Sequence, residues 1–525
     1  MQNRFVRFLL FFVVLFVACE KNEFTEIDTS SMKMRETKSL SATKSELDLM
    51  KNFGKGLAKL LKESEAARHV IKKEAIKKIN YDYDVLYDLI KDEIIENGES
   101  FENALLRYVD ESDLYQLKEI IPALTIFVPE LPEDSFSADI WDATNEIPNV
   151  AIRCKDSDGV TAYTGDGEEY IIEAKYIPGY PIVVVKENER IIANHLSTKS
   201  STTVIQNPNS NLTFMFTDEA FNNLTHKVTL RGSPTSEPIP EKLAKSYEAY
   251  SIYQTRNDGW QRDYIYYDIT PSSPRGPFNY NYKEYLCSFE MLGDPVEAYK
   301  KISDGSDEPK FIPQGPNPGG GRAICWTDGE FEFKVIPTIA PKPAIGNIQP
   351  TSFRAKPKDL FNTRLEKVSS GGQVSYIVND IYGLNRISVD LPLFEWDIEN
   401  YSPIIRIRIE EIDSPTKITE THQTTTEFAA NFEFNATTGS TDKVGLKFGS
   451  SAKEVRTTTY TTERNDVNDE LGEVNINFGD PVLISDQPIV YTDPRRGDKT
   501  YYPQFNPKYY TGWYKIEVAP LKVYK

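Results

Sequence analysis

The stretch "PIIRIRIEEID", residues 403–413, alternates apolar and charged side chains. Ile405, Ile407 and Ile409 share one side of an extended chain, and the two arginines between them fall on the other side. Because successive side chains of a strand point to opposite faces, this pattern predicts a strand with one buried and one wet face. Such strands are typical of antiparallel sheets.

The same two-residue period recurs through residues 355–525 and predicts an antiparallel, β-sandwich-like domain there. It is clearest in "EFAANFEFN" (427–435) and "KVGLKF" (443–448), which the turn "ATTGSTD" (436–442) joins into a predicted hairpin. Pore-forming proteins also insert long Ser/Thr-rich strands of this kind into membranes. A pore-forming or adhesive role is therefore one alternative for this region.

Residues 44–120 have a helical period instead. Leu47, Met50, Phe53 and Leu57 recur every three to four residues, which places them on one face of an amphipathic helix. Further helices are predicted over residues 66–79, 84–95 and 101–109. Together they predict a helical bundle.

The remaining segments complete the predicted organisation. They are a small β domain (121–195), a Ser/Thr/Asn/Pro-rich connector (196–240) and a mixed, aromatic-rich domain (241–345). The predicted fold is thus a multidomain α+β protein, with an N-terminal helical bundle followed by mainly antiparallel β domains.

The N-terminus is typical of an export signal. Arg4 and Arg7 precede the uncharged run "FLLFFVVLFV" (8–17), which is too short to span a hydrocarbon core of about 30 Å. A small residue, Ala18, then directly precedes Cys19, as in bacterial lipoprotein signals, where the cysteine is lipidated and becomes the new N-terminus. We therefore predict a signal peptide over residues 1–18, lipidation of Cys19 and a flexible tether over residues 19–43. The alternative is an ordinary signal peptide with a chance cysteine at its boundary.

The charge of the chain limits its partners. It carries 79 acidic against 60 basic residues, a net charge of −19. Nucleic-acid binding needs basic patches, so we expect no nucleic-acid partner. The acidic balance also disfavours adsorption to anionic lipid. Membrane attachment is therefore expected through the N-terminal lipid alone.

The sequence assigns no catalytic residue, metal ligand or cofactor. HExxH, GxSxG, P-loop and CxxC motifs are absent from it. Cys287 and Cys325 could form a disulfide in an oxidising envelope, and free buried thiols are the alternative.

Aromatic residues crowd the middle of the chain. Trp260, Tyr264, Tyr266 and Tyr267 are flanked by polar side chains, and Trp326 stands in a similar setting, "CWTDGEF". Flat rings beside polar groups can stack on sugars, so these five residues are candidate ligand contacts. The alternative is that the rings pack in the core.

Several segments resemble uncharacterised outer-membrane or surface lipoproteins of Bacteroidota. The segments are "ACEKNE" (18–23), "FGKGLAKLLKESEAARHVIKKEA" (53–75), "DYDVLY" (82–87), "LTIFVPELP" (124–132) and "DGWQRDYIYYDI" (258–269). The resemblance implies lipid anchoring in the outer membrane. Glu20 and Glu23 are similar to a surface-export signal, but Lys21 interrupts the acidic run. The periplasmic and the cell-surface faces both stay open.

The leading functional hypothesis is non-catalytic binding or structural display, with a glycan or a protein as ligand. An envelope hydrolase acting on polysaccharide or peptide is the alternative, although its acids cannot be chosen from the sequence.

Replacing Cys19 tests the anchor. Cys19→Ala removes the thiol that would carry the lipid, so the protein should leave the membrane fraction and lose incorporation of labelled palmitate. Cys154→Ala, which removes a cysteine elsewhere in the chain, is the control and should stay in the membrane fraction. Membrane retention of Cys19→Ala would contradict the anchor.

Overall fold

The computed structural model describes twenty stretches of the chain. They are residues 44–96, 98–153, 159–195, 205–218, 220–221, 229–230, 238–256, 259–273, 275–303, 310–313, 321–324, 326–341, 348–370, 372–398, 400–412, 417–429, 443–444, 453–465, 469–492 and 499–523. The predicted signal peptide, Cys19 and the tether lie outside them.

The described helices are mostly in the first third of the chain. They are α1 (Glu46–Glu63), α2 (Glu65–Ile76), α3 (Tyr87–Ile90), α4 (Phe101–Leu105), α5 (Glu111–Ile120), α6 (Ala244–Tyr253), α7 (Gln261–Tyr267), α8 (Pro295–Lys301) and α9 (Pro357–Leu360). The 3-10 turns Pro132–Asp134 and Glu241–Leu243 accompany them.

The described strands run from residue 84 to residue 522. Those of the first part are β1 (Asp84–Leu86), β2 (Leu124–Phe127), β3 (Asn149–Ile152), β4 (Gly159–Tyr163), β5 (Glu169–Glu173), β6 (Ile177–Pro178), β7 (Ile182–Glu187), β8 (Ile191–His195), β9 (Ile205–Gln206) and β10 (Leu212–Phe216). Those of the second part are β11 (Thr229–Leu230), β12 (Arg275–Gly276), β13 (Tyr282–Met291), β14 (Lys310–Pro313), β15 (Gly321–Ile324), β16 (Phe331–Pro341), β17 (Thr351–Ala355), β18 (Phe361–Ser370), β19 (Gln373–Leu384), β20 (Arg386–Phe394), β21 (Tyr401–Glu411), β22 (Lys417–Ala429), β23 (Lys443–Val444), β24 (Lys453–Asn465), β25 (Asp469–Asn477), β26 (Ile489–Thr492), β27 (Lys499–Tyr502) and β28 (Tyr514–Lys522).

Helix α1 packs on a six-stranded sheet with strand order β1-β2-β7-β3-β4-β5. Ser45 caps the helix by accepting a hydrogen bond from the Asp48 N–H at 3.2 Å. Phe53 and Leu57 are fully buried, as the helical period predicts. At Gly54 the helix comes so close to the sheet that an added Cβ would lie 2.1 Å from Ile152 Cδ1. Helix and sheet therefore share one core.

The helix predicted over residues 84–95 is wrong in its first part. Asp84–Leu86 forms β1, which pairs with β2 in the register Val85↔Ile126, and a helical turn follows only over Tyr87–Ile90. The run from Asp84 to Tyr87 is buried at every position, and a fully buried run has no period that separates strand from helix. The domain boundaries stay predictions, but β1 joins residues 44–120 to the sheet of residues 121–195.

Two four-stranded sheets, β11-β20-β13-β28 and β17-β16-β21-β25, face each other. Phe289 of β13 lies between them, with its ring centroid 5.0 Å from that of Phe333 on β16 and 5.2 Å from that of Phe353 on β17. The mixed α+β class with antiparallel, sandwich-like sheets is thus confirmed. The sandwich also takes β13 and β16 from outside residues 355–525.

The segment that opened the sequence analysis forms β21, at an interior position of its sheet. Ile405, Ile407 and Ile409 are at most 1% exposed, whereas Arg406 is exposed. The predicted buried face is confirmed, whereas the predicted wet face ends before Glu410, which is 1% exposed.

The predicted hairpin is described only in part. Strands β22 and β24 pair antiparallel from Lys417↔Asn465 to Ala429↔Lys453. Residues 430–442 and 445–452 lie outside the described residues, and β23 pairs with β12.

A double-mutant cycle tests the contact between α1 and the sheet. Gly54→Ala should lower the free energy of unfolding by about 1 kcal/mol more in the wild-type background than in the Ile152→Val background. The reason is that valine lacks the Cδ1 atom with which the new methyl group collides. Urea unfolding of the four proteins measures this coupling. If the effects of the two substitutions on the free energy of unfolding were additive to within about 0.3 kcal/mol, the contact would be contradicted, because additive effects are typical of sites that do not touch.

Candidate functional site

A cavity of about 230 Å³ lies between the first sheet and the sheet β18-β19-β6. Its apolar wall consists mainly of Phe127, Leu131, Pro132, Ile177, Tyr299, Trp326, Pro357, Leu365, Val378 and Ile381. Its polar lining includes Asp82, Glu130, Glu133, Asp134, Asp328, Lys356, Lys358 and Thr363. We call it the Trp326 cavity. Apolar walls with a few convergent polar groups are typical of small-molecule sites.

Local sequence explains how the chain shapes this cavity. Strand β2 is buried at every position and ends at Phe127, and Pro132 then opens a 3-10 turn. On the opposite side Pro357 opens α9, where Asp359 Oδ2 accepts a hydrogen bond from the Lys356 N–H at 3.2 Å. A proline therefore sets the direction of the chain at each of these two edges of the cavity.

Gly329 lets the backbone pass directly against a carboxylate. A Cβ at this position would lie 1.5 Å from Asp82 Oδ2. Asp82 and Asp328 each have 4% of their surface exposed. The glycine thus lets Asp82 and Asp328 line the same end of the cavity, which we call the acidic end.

Each carboxylate of the acidic end has an oxygen without a hydrogen bond. Asp82 Oδ1 accepts from the Tyr83 N–H at 2.8 Å, while Oδ2 has no hydrogen-bond partner and lies 3.6 Å from Arg190 Nη1. Asp328 Oδ2 accepts from the Thr327 hydroxyl at 3.2 Å, while Oδ1 lies 2.9 Å from Arg153 Nε without hydrogen-bond geometry. Both oxygens are buried beside these arginines, which oppose their charge.

A cluster of mostly buried charges lies behind the acidic end. Its ion pairs include Lys186 with Glu189 at 2.7 Å, Lys186 with Asp84 at 3.6 Å, Arg354 with Glu330 at 2.8 Å, and Arg190 with Glu332. With Asp82, Asp328 and Arg153, this buried charge cluster contains six acids and four bases. Acidic groups therefore outnumber basic groups in this cluster.

The excess of acidic groups is accompanied by raised pKa values in the cluster. Burial raises the pKa of Asp84 to about 7 against the opposing charge of Lys186. Burial likewise raises the pKa of Glu330 to about 7, and that of Asp328 to about 6. At neutral pH these carboxyls hold part of a proton, because buried negative charge is costly.

Lys356 lies at the rim of the cavity, less deeply than the two aspartates. Its Nζ pairs with Glu130 and lies 3.9 Å from Glu330 Oε1. Burial lowers the pKa of Lys356 to about 8. Lys358, the second lysine of the lining, is exposed.

The predicted aromatic contacts fall in two places. One place is α7, where Trp260 is the N-cap residue and Tyr264, Tyr266 and Tyr267 lie on the helix. The other is the cavity, which Trp326 lines with 3% of its surface exposed. Sequence alone had no signal to separate Trp326 from the others.

Tyr266 and Tyr267 belong to the core. Their exposed fractions are 0% and 1%, and Tyr266 stacks on Phe278 with centroids 5.4 Å apart. The Tyr267 hydroxyl donates to Asp397 at 2.8 Å. This placement corresponds to the core-packing alternative. Trp260 and Tyr264 are half-buried, and the Trp260 ring lies 6.1 Å from that of Phe478.

Cys287 is a buried free thiol, and burial raises its pKa. This state corresponds to the free-thiol alternative, and Cys325 itself lies outside the described residues. Within the described stretches, no group of three or more His, Cys, Asp or Glu side chains could hold a metal ion. No described helix is long and apolar enough to cross a membrane.

Comparisons with models of protein families, with curated proteins and with solved structures found no match. The resemblance to outer-membrane lipoproteins therefore stays a prediction.

Asp263, beside the aromatic group, gives a pH-dependent prediction. Burial raises its pKa to about 8, since Oδ2 accepts only the Trp260 N–H at 3.0 Å and Oδ1 accepts no hydrogen bond. The folded state keeps this proton between about pH 4 and pH 8, whereas the unfolded state releases it. Asp263 therefore lowers the free energy of unfolding as pH rises, by at most about 1.4 kcal/mol per pH unit.

Asp263→Asn mimics the protonated form and should remove this contribution. Urea unfolding from pH 4.5 to pH 8 should show a smaller loss of stability in the variant than in the wild type. Asp486→Asn, the same change at an exposed position, is the matched control. Equal slopes for Asp263→Asn and wild type would contradict the raised pKa.

Proposed function

We propose that the chain is a lipid-anchored protein of the cell envelope, at the outer membrane, that binds a ligand without catalysis in the Trp326 cavity. The location rests on the signal pattern that ends at Cys19. The binding site rests on the cavity, whose apolar wall meets the carboxylates of Asp82 and Asp328.

The size of the cavity limits what it can enclose. Its volume of about 230 Å³ is below the range of about 300–1,000 Å³ typical of drug-sized sites. A small molecule fits this volume, as does one sugar unit or one side chain of a larger glycan or protein ligand. The function is thus capture of a small group at the acidic end of an apolar cavity.

Titration calorimetry on the purified lipoprotein tests the binding function. Three probes share a phenyl body and differ in charge: 2-phenylethylamine, 2-phenylethanol and 3-phenylpropanoate. Binding of at least one of them is expected. If none of the three binds, the proposed function is contradicted.

Blocking the cavity should abolish that binding. Leu365 lines it and is 38% exposed, so Leu365→Trp should narrow it without opening the core and weaken binding at least about tenfold. Tyr382→Trp puts the same side chain on β19 at a position 58% exposed that does not line the cavity. It should bind like the wild type. Equal binding by both variants would place the site elsewhere.

A further inference from the structure

We propose that the ligand of the Trp326 cavity is an organic cation, with a protonated amine at the acidic end and an apolar body against Trp326. The inference rests on the binding function proposed above and adds the chemical class of the ligand.

The first argument is the pair of buried carboxylates at the acidic end. Asp82 and Asp328 are more than nine-tenths buried, and both line the cavity. An ammonium group has three donors and no acceptor, so it suits a lining of carboxylates, which only accept. Hydrogen bonds between two charged groups are also shorter and stronger than neutral ones.

The second argument is the sign of the surrounding charge. Five of the seven charged side chains that line the cavity are acids, so bound positive charge would reduce the imbalance of the lining. A bound anion would increase it. In a cavity with little water, this difference between the two signs is large.

The third argument is the aromatic wall. Phe127 already contacts a cation, since Lys186 Nζ lies 4.5 Å from its ring centroid. Trp326 and Tyr299 add two more rings to the lining. Aromatic faces attract cations through the ring quadrupole, and tryptophan does so best.

The two lysines of the lining, Lys356 and Lys358, do not make the cavity bind an anion as well as a cation. Lys356 Nζ is already paired with Glu130, so an anion would compete with that carboxylate. Lys358 is exposed at the rim, where water screens its charge. The acidic end, with Asp82 and Asp328, is more deeply buried than Lys356 and Lys358.

The three phenyl probes test the charge of the ligand directly. The amine should bind at least about tenfold more tightly than the alcohol, and the carboxylate should bind most weakly. If the amine and the alcohol bind equally, the inference fails while the binding function stands. If the carboxylate binds most tightly, the site takes anions and the inference is overturned. If no probe binds, both proposals fail.

Two variants assign the preference to the acidic end. Asp82→Asn should reduce the preference for the amine over the alcohol to within about threefold, and a circular dichroism spectrum like that of the wild type is the check of folding. Asp263→Asn, a buried acid that does not line the cavity, should keep the wild-type preference. An unchanged preference in Asp82→Asn would overturn the assignment. If Asp82→Asn does not fold, the preference of the wild type among the three probes still decides.

Discussion

The buried ion pair between Arg190 and Glu332 is the contact on which the arrangement of the site depends. Arg190 follows β7 of the first sheet, and Glu332 lies on β16 of the sandwich, so the pair connects the two. Both side chains are nearly buried, and removal of one partner from such a pair costs about 3–5 kcal/mol. In the same turn, the Asn188 amide donates to Asp84 Oδ2 at 3.2 Å, which fixes the chain next to Asp82. The acidic end therefore depends on this junction.

Local patterns predicted much of the fold. The alternation of Ile405, Ile407 and Ile409 identified β21 because these residues form one buried face, while the other face meets water at Arg406. The three- to four-residue spacing of apolar residues that includes Phe53 identified α1, because this helix also buries one face. The pattern failed over Asp84–Leu86, where both faces are buried and residues 124–127 supply the pairing partner. Whether such a run becomes a strand is decided by a partner distant in sequence.

The candidate site was much harder to predict. Asp82, Trp326, Asp328 and Lys356 come from separate segments, and only Trp326 was a candidate contact beforehand. In a chain with 79 acids, nothing local distinguishes an aspartate that folding buries beside a cavity from one that stays in water. The crowded tyrosines had a simpler origin, because Tyr266 packs on Phe278 in the core. Composition left a ligand-binding surface and core packing both open, and the structure places Tyr266 and Tyr267 in the core.

A crystal structure of the protein with 2-phenylethylamine tests the central claim most directly, because it locates both ends of the ligand. The account predicts the phenyl ring against Trp326 and the nitrogen within about 3 Å of a carboxylate oxygen of Asp82 or Asp328. A ligand bound outside the cavity, or one whose nitrogen points to the rim at Lys356, would contradict it.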